Sequence, residues 1–480
     1  MRAPAAGLHD LDIEFLDSSG DGVGRLGRRL VLVPFTIPGE RVRVQLDAAR
    51  DGPVPGVLRE VLRASPHRVA PRCRHFGPGA APGAGPCGGC TWQHIAYAEQ
   101  LRLKQELVSR LVRATVPQAP AARPTMAAPL DEPWGYRQKV HFVFGADRGP
   151  GAPVSGPAGR RRPGLVMGHY VRGGRRIIPV RECPVHDERG NATAFRFRDE
   201  YVRARAAAAP DGSLKSLAFR AACATPELMG TLVVARDDDK AVRSATRRVL
   251  EAPGAPSTFH VNIHPKADAY VFGRETRRVS GAERLREEVA GVSFLVSPTA
   301  FFQTNVRAAE ILVRLVLEAV PPGAAVLDLY AGAGLFALPL ARRGHAVVAV
   351  EESRAAVADG EASRRLNRIP DERCRFVAQP AEQALRDIVR QAAGRPRLDA
   401  AVLDPPRDGC APAVIEALFG VLAPPTVVYV SCNPEALATE LASMARLGYR
   451  IASLQPVDMF PHTAHVETVA ILTARGARHS

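Results

Sequence analysis

Apolar positions change their period along the chain, and the change divides it. Near the N-terminus they alternate with polar ones in short runs such as Arg41-Val42-Arg43-Val44-Gln45-Leu46, the period of a half-buried strand. Gly20, Gly22, Gly24 and Gly27 punctuate a tight turn between such runs. A small β-barrel ending near Arg63 is predicted, and such barrels often carry nucleic-acid grooves. A Cys-bearing loop follows, then a helix from about Tyr97 to Val112, then a mixed, Arg-rich region from about Trp134 to Val289. Gly149 to Gly159 reads as a loop insertion. From Val292 onward continuous apolar strand runs (AAVLDLY, HAVVAVE, RFVA, LDAAVLD, TVVYVS, VETVAIL) alternate with helical segments. That alternation predicts a doubly wound, Rossmann-like α/β domain. The predicted units are a barrel over 1–66, a Cys-rich loop and helix over 67–125, a basic α+β unit over 126–290, and the α/β domain over 291–480.

Composition adds limits. A chain of 480 residues with 46% hydrophobic and 24% charged side chains is globular and too long for one core at roughly 100–200 residues per domain. No run reaches the ~18 apolar residues of a membrane span. The start, MRAPAAGLHDLDIEF, lacks the apolar core of a signal peptide. A cytoplasmic monomer without a membrane partner is expected.

The net charge of +15 is unevenly placed. Residues 291–480 hold 19 basic and 19 acidic side chains, residues 1–66 hold nine of each, and residues 67–290 hold 36 against 21. Between Gly149 and Arg181 there is no carboxylate, yet Arg160, Arg161, Arg162, Arg172, Arg175, Arg176 and Arg181 all fall there. An Arg-favouring composition explains Arg in place of Lys, but not this concentration. A polyanion docking here would release counterions, the sequence-independent term of nucleic-acid binding. A nucleic acid is the expected partner.

Candidate chemistry lies in the last unit. Val326-Leu327-Asp328-Leu329-Tyr330-Ala331-Gly332-Ala333-Gly334 is a strand ending in a glycine turn, which lets a ligand approach the backbone. The next strand ends in Glu351, 23 residues after Asp328, where an acid can accept both ribose hydroxyls of a nucleoside. The turn lacks the third glycine of the pyrophosphate fingerprint, so S-adenosylmethionine fits better than NAD. Further strand ends deliver Asp404-Pro405-Pro406-Arg407 and Ser431-Cys432-Asn433-Pro434.

DLYAGAG, LDPPRDG, YVSCNP and MFPHTAHVETVAIL, in that order, together with FFQTN at Phe301–Asn305, resemble the RNA 5-methyluridine (uracil-5-)methyltransferase family, and the N-terminal barrel resembles its TRAM domain. The resemblance covers nearly the whole chain. It implies cofactor contacts at Gln303, Tyr330, Glu351 and Asp404, a nucleophile at Cys432 and a base at Glu467. Pro380 in FVAQPAEQAL stands where relatives carry an acid, so one contact near the adenine is not expected here.

Such chemistry needs a thiol and a base. Carbon 5 of uracil becomes nucleophilic only after a thiolate adds to carbon 6, and a base must then take the carbon 5 proton. The target base must leave its stack or lie in a loop. Cys73, Cys87 and Cys90 share one loop and Cys183 follows in RECPV. C-x₂-C with two more cysteines argues for metal, either structural zinc or an iron–sulfur cluster. The resemblance implies a [4Fe–4S] cluster, although thirteen residues separate Cys73 from Cys87 where relatives have about five. The expected function is S-adenosylmethionine-dependent 5-methylation of uridine in RNA, with 23S ribosomal RNA ahead of tRNA as substrate. The rival of another class is a non-catalytic, redox-sensing RNA-binding protein.

Overall fold

The computed structural model describes residues 7–46, 52–78, 85–147, 164–268, 271–390 and 398–475. The Gly149–Gly159 insertion and Arg160, Arg161 and Arg162 lie outside the described residues.

Alternation closes the first unit. β1 (Gly7–Leu16), β2 (Gly22–Leu26), β3 (Arg29–Val33), β4 (Arg41–Leu46) and β5 (Val54–Arg63) form a closed barrel in the order β1-β2-β3-β5-β4. Val42, Val44 and Leu46 point inward with Leu11, Ile13 and Val31. Arg41 and Arg43 point outward and pair with Asp12 and Asp10 of β1. Closure removes the exposed edges that five short strands would otherwise present.

α1 (Tyr97–Thr115) follows the Cys loop. The central unit is a seven-stranded sheet, β12-β11-β10-β9-β6-β7-β8, made from β6 (Lys139–Asp147), β7 (Gly164–Tyr170), β8 (Ile177–Pro179), β9 (Leu214–Ala221), β10 (Leu228–Val234), β11 (Thr258–Ile263) and β12 (Glu275–Ser280). α2 (Glu188–Arg203) and α3 (Lys240–Leu250) pack on it through Phe197, Tyr201, Val242 and Val249.

A hairpin of β13 (Leu285–Val289) and β14 (Val292–Val296) straddles residue 290 and packs its apolar side into the C-terminal core. Then come α4 (Val306–Ala319), β15 (Ala325–Leu329), α5 (Ala337–Arg342), β16 (Ala346–Glu351), α6 (Arg354–Leu366), β17 (Cys374–Ala378), α7 (Ala381–Arg390) and β18 (Ala400–Leu403). α8 (Pro412–Ile415) runs into a π-helical stretch (Glu416–Leu422), followed by β19 (Thr426–Ser431), α9 (Pro434–Arg446), β20 (Tyr449–Val457) and β21 (Glu467–Ala474). The sheet order is β17-β16-β15-β18-β19-β21-β20, parallel except that β21 runs against both neighbours. Successive residues face opposite cores. Val326, Val402 and Val428 join α4 and α5 on one face, while Leu327, Leu403 and Tyr429 join α7, α9 and α1 on the other. Burial on both faces is why these strands read as continuous apolar runs. Because Val108 and Val112 of α1 lie in that second core, the Cys-bearing segment is anchored to the C-terminal sheet. No helix among the described residues is long and apolar enough to cross a membrane.

Candidate active site

Strand register gathers the predicted residues at one edge. Leu329 stands opposite Val350 and Leu403, and Leu403 opposite Tyr429. Tyr330, Glu351, Asp404 and Cys432 therefore all leave the sheet at its carboxyl edge, where open α/β sheets bind ligands. β21 runs the other way with Thr468 opposite Ser431, so Glu467 opens its strand beside Cys432.

One side of this edge suits a nucleoside. Glu351 accepts the Gly332 N–H at 2.9 Å and the Ser353 N–H at 2.8 Å, which fixes its carboxylate at the turn. Tyr330 has φ 64° and Gly334 φ 88°. The left-handed region is uncommon for a residue such as tyrosine and marks turns that shape sites. A Cβ on Gly334 would lie 2.8 Å from the Phe376 ring. Asp328, which the sequence reading used only as a strand marker, is fully buried with neither carboxylate oxygen hydrogen-bonded. Burial first, then the Asp404 charge, holds its carboxyl well above the ordinary range. Asp328, Glu351 and Asp404 thus place three carboxyl groups at the turn, and a cationic ligand such as a sulfonium would favour ionisation of the two raised ones. Gln303 sits in a strap held from the central sheet. Buried Arg220 donates to the Phe302 carbonyl at 3.3 Å and the Gln303 carbonyl at 3.5 Å, and Gln138 accepts the Val306 N–H at 3.2 Å.

The other side carries the pair expected to react, Cys432 and Glu467. Cys432 is half-buried, and desolvation, then the Glu467 and Asp404 charges, push its thiol up to about 11, with Arg407 acting in the opposite sense. Glu467 is 5% exposed. Desolvation, then Asp404, raise it to about 8, again against Arg407. Desolvation raises Asp404 to about 7. Asn433 caps α9 by accepting the Glu435 N–H at 3.0 Å and donates to the Arg407 carbonyl at 3.0 Å, which ties the Cys432 turn to the Asp404 loop. Glu440 of α9 holds that loop from beneath, accepting the Cys410 N–H at 2.7 Å and the Tyr429 hydroxyl. Only glycine fits at 409, where φ is +81° and a Cβ would fall 1.9 Å from Glu440 Oε1.

The segment leading to Glu467 is pinned from several elements. Lys104 Nζ donates to Asp458 Oδ1 at 2.6 Å and the Phe460 carbonyl at 3.1 Å, and Tyr97 donates to Asp458 Oδ2 at 2.9 Å. Tyr136 donates to the Pro461 carbonyl at 3.1 Å, and Asn305 to the Met459 carbonyl at 3.1 Å. His462 is held as a structural post. Its N–H donates to Gln100 at 2.8 Å and its ring stacks on Trp134 with centroids 3.7 Å apart.

The four cysteines of the loop and of RECPV meet elsewhere. Cys73, Cys87, Cys90 and Cys183 line one cavity of about 150 Å³ with His75, His141, His169 and His186. Burial raises Cys90 to about 12 and Cys183 higher still, each further raised by the neighbouring sulfurs. A metal that holds the thiolates as anions would offset that cost. Thiolates on one tetrahedral zinc lie about 3.8 Å apart, given Zn–S bonds of about 2.3 Å. Among the described residues, the set of three or more ligating atoms within 4.8 Å of one another is His169, Cys183 and His186, not the four thiols. Cys374 and Cys410 are buried core thiols.

Of the arginines read as a docking face, Arg172 turns inward. It bridges Asp21 at 2.5 Å and lies 5.3 Å over the Phe35 ring. Arg175 and Arg181 are exposed.

Residues 223–475 match the tRNA (Uracil-5-)-methyltransferase family, and residues 9–58 match the TRAM domain. The chain is 36% identical over 475 residues to an uncharacterized RNA methyltransferase of Thermosynechococcus vestitus, covering 97% of each. It is 31% identical over 474 residues to one of Halalkalibacterium halodurans, covering 96% of each. Among solved structures, Pyrococcus abyssi tRNA (uracil-54, C5)-methyltransferase in complex with S-adenosyl-L-homocysteine superimposes with a TM-score of 0.72 at 25% identity, covering 97% of this chain and 100% of that one. The chain therefore belongs to the tRNA (Uracil-5-)-methyltransferase family, as an RNA (uracil-5-)-methyltransferase that joins a TRAM barrel to a Rossmann-like S-adenosylmethionine domain.

Proposed function

We propose that this enzyme methylates carbon 5 of a uridine in 23S ribosomal RNA through a covalent adduct on Cys432. The observation that carries the reading is Cys432 beside the buried carboxylate of Glu467, at the edge where Asp404, Glu351 and the glycine turn meet. S-adenosylmethionine, when bound, supplies the methyl group as a sulfonium. Tyr330, Glu351, Asp404 and Gln303 hold it on the nucleoside side of the edge.

Cys432 Sγ adds as a thiolate to carbon 6 of an unstacked uracil, leaving carbon 5 nucleophilic. Arg407, the cation that acts on both groups, offsets the carboxylates that disfavour the thiolate. After methylation, Glu467 takes the proton from carbon 5 and Sγ leaves carbon 6, restoring the ring double bond. A carboxylate poised near 8 is matched to that proton transfer at neutral pH. Residues 126–290 dock the RNA through their basic excess. Cys73, Cys87, Cys90 and Cys183 would hold a [4Fe–4S] cluster, whose part would be structural, joining the Cys loop to the segment before α2.

Transfer RNA is the second reading, favoured by the full-length likeness to the Pyrococcus abyssi enzyme. Labelled donor with ribosomal RNA and tRNA from a deletion strain separates them. Label in 23S RNA alone supports the proposal, label in tRNA alone supports the second reading, and label in neither contradicts both.

A further inference from the structure

We propose that His169, Cys183 and His186 form an alternative metal site within the four-thiol cavity, for a single zinc-type divalent ion. One ligating atom from each lies within 4.8 Å of the other two. Ligands of one tetrahedral zinc sit roughly 3.3–3.8 Å apart, given bonds of about 2.0–2.3 Å, so small side-chain adjustments close the set. His169 lies on β7, and Cys183 and His186 lie in the turn between β8 and α2. Asn191 Nδ2 donates to the Cys183 carbonyl at 2.9 Å, and His186 forms a bridge with Arg137, so the turn is fixed. The two imidazoles stand nearly perpendicular with centroids 5.1 Å apart, and Phe142 backs both at 5.0 and 5.2 Å.

His169 Nε2 is out of solvent and has no hydrogen-bond partner, and on His186 the acting side chain is Asn191. Buried polar atoms without partners are rare and call for an explanation. Here the two imidazoles and one thiol lie within reach of a single ion. One thiolate with two imidazoles is a borderline-soft set that suits zinc or cobalt rather than magnesium or calcium.

Cys183 also belongs to the four-thiol site, and this part of the inference rests on the cluster reading above. A shared sulfur makes the occupants exclusive: the cavity holds either a cluster or a single ion. Metal content at this position would then report the iron–sulfur supply.

The test uses cluster-free full-length protein titrated with Co²⁺. One equivalent should bind with a thiolate-to-cobalt charge-transfer band, and the band should persist in Cys73→Ser, which leaves the tight set intact. His169→Phe and His186→Leu should each weaken cobalt binding by at least about tenfold. Reconstitution of both variants with iron and sulfide shows that they fold. Protein already carrying the cluster should give no band. No cobalt uptake by the wild type, or equal uptake by both histidine variants, overturns the site. A band in cluster-loaded protein overturns the shared ligand. A wild type that binds cobalt but cannot be reconstituted supports the single-ion site and contradicts the cluster reading alone.

Discussion

Trp92 donates its backbone N–H to the His462 carbonyl at 2.9 Å, and Thr91 donates to the same oxygen at 3.0 Å. Both donors directly follow Cys90, and the acceptor lies five residues before Glu467. The Cys loop and the proposed base therefore share one backbone junction. Gln100 completes it, accepting the His462 N–H at 2.8 Å and donating to the Ile95 carbonyl at 2.8 Å.

Gln100→Leu strands that buried N–H, at a cost of about 1–3 kcal/mol. Stability should fall by that order in denaturant titrations. Turnover should drop while the KM for donor stays near wild type, because the donor side of the edge is untouched. An equal loss in both would place Gln100 in the general fold rather than at the junction.

Lys104→Met should be among the costlier single changes. It leaves Asp458 charged and fully buried, and breaking a buried pair from one side costs roughly 3–5 kcal/mol. The double variant Lys104→Met with Asp458→Leu should recover much of that loss. Chemical unfolding of both single variants and the double measures the recovery.

Two pH effects of opposite sense follow from Glu467. Its carboxyl is raised from 4.5 to about 8, and a base acts only when ionised. Turnover should therefore fall with decreasing pH, and more steeply below about 8, where Glu467 is protonated as well as Cys432. For stability, the folded chain keeps a proton that the unfolded chain releases between the ordinary and the raised pKa. The contribution is full below about 4.5 and is lost as pH rises to about 8, by at most ~1.4 kcal/mol per unit. Donor-free Glu467→Gln should thus melt higher than wild type at pH 8.5, with the gap closing toward pH 5. Identical melting curves at both pH values would contradict the burial of this charge.

Arg175→Ala with Arg181→Ala should weaken RNA binding without changing donor binding. Each lost phosphate contact should reduce the slope of log affinity against log salt by about 0.7–0.9. An unchanged slope would remove these two residues from the docking face.

How far the sequence carried depended on where each residue takes its orders. That Tyr330, Glu351, Asp404 and Cys432 stand at one edge was legible because each closes a strand whose apolar run marks it as buried, and strand ends of such sheets share one edge. β20 was missed. Ser453, Gln455 and Pro456 interrupt its pattern, and it survives as a strand because it lies at the sheet edge, where proline is tolerated. Lys104 and Asp458 are 354 residues apart, and nothing local in either segment announces the other. Asp328 looked like an ordinary strand residue; its missing partners emerge only when its neighbours are in place. Arg172 was read as facing RNA from local charge alone, whereas the barrel supplies Asp21 to receive it.

The most direct test of the account compares Cys432→Ala with Glu467→Gln on radiolabelled RNA and donor under denaturing electrophoresis. Cys432→Ala should show neither turnover nor a covalent species. Glu467→Gln keeps the nucleophile and loses the base, so it should accumulate a denaturation-resistant protein–RNA species carrying the transferred methyl group. Turnover by Glu467→Gln at the native rate, or RNA trapped covalently by Cys432→Ala, would contradict the assignment of nucleophile and base.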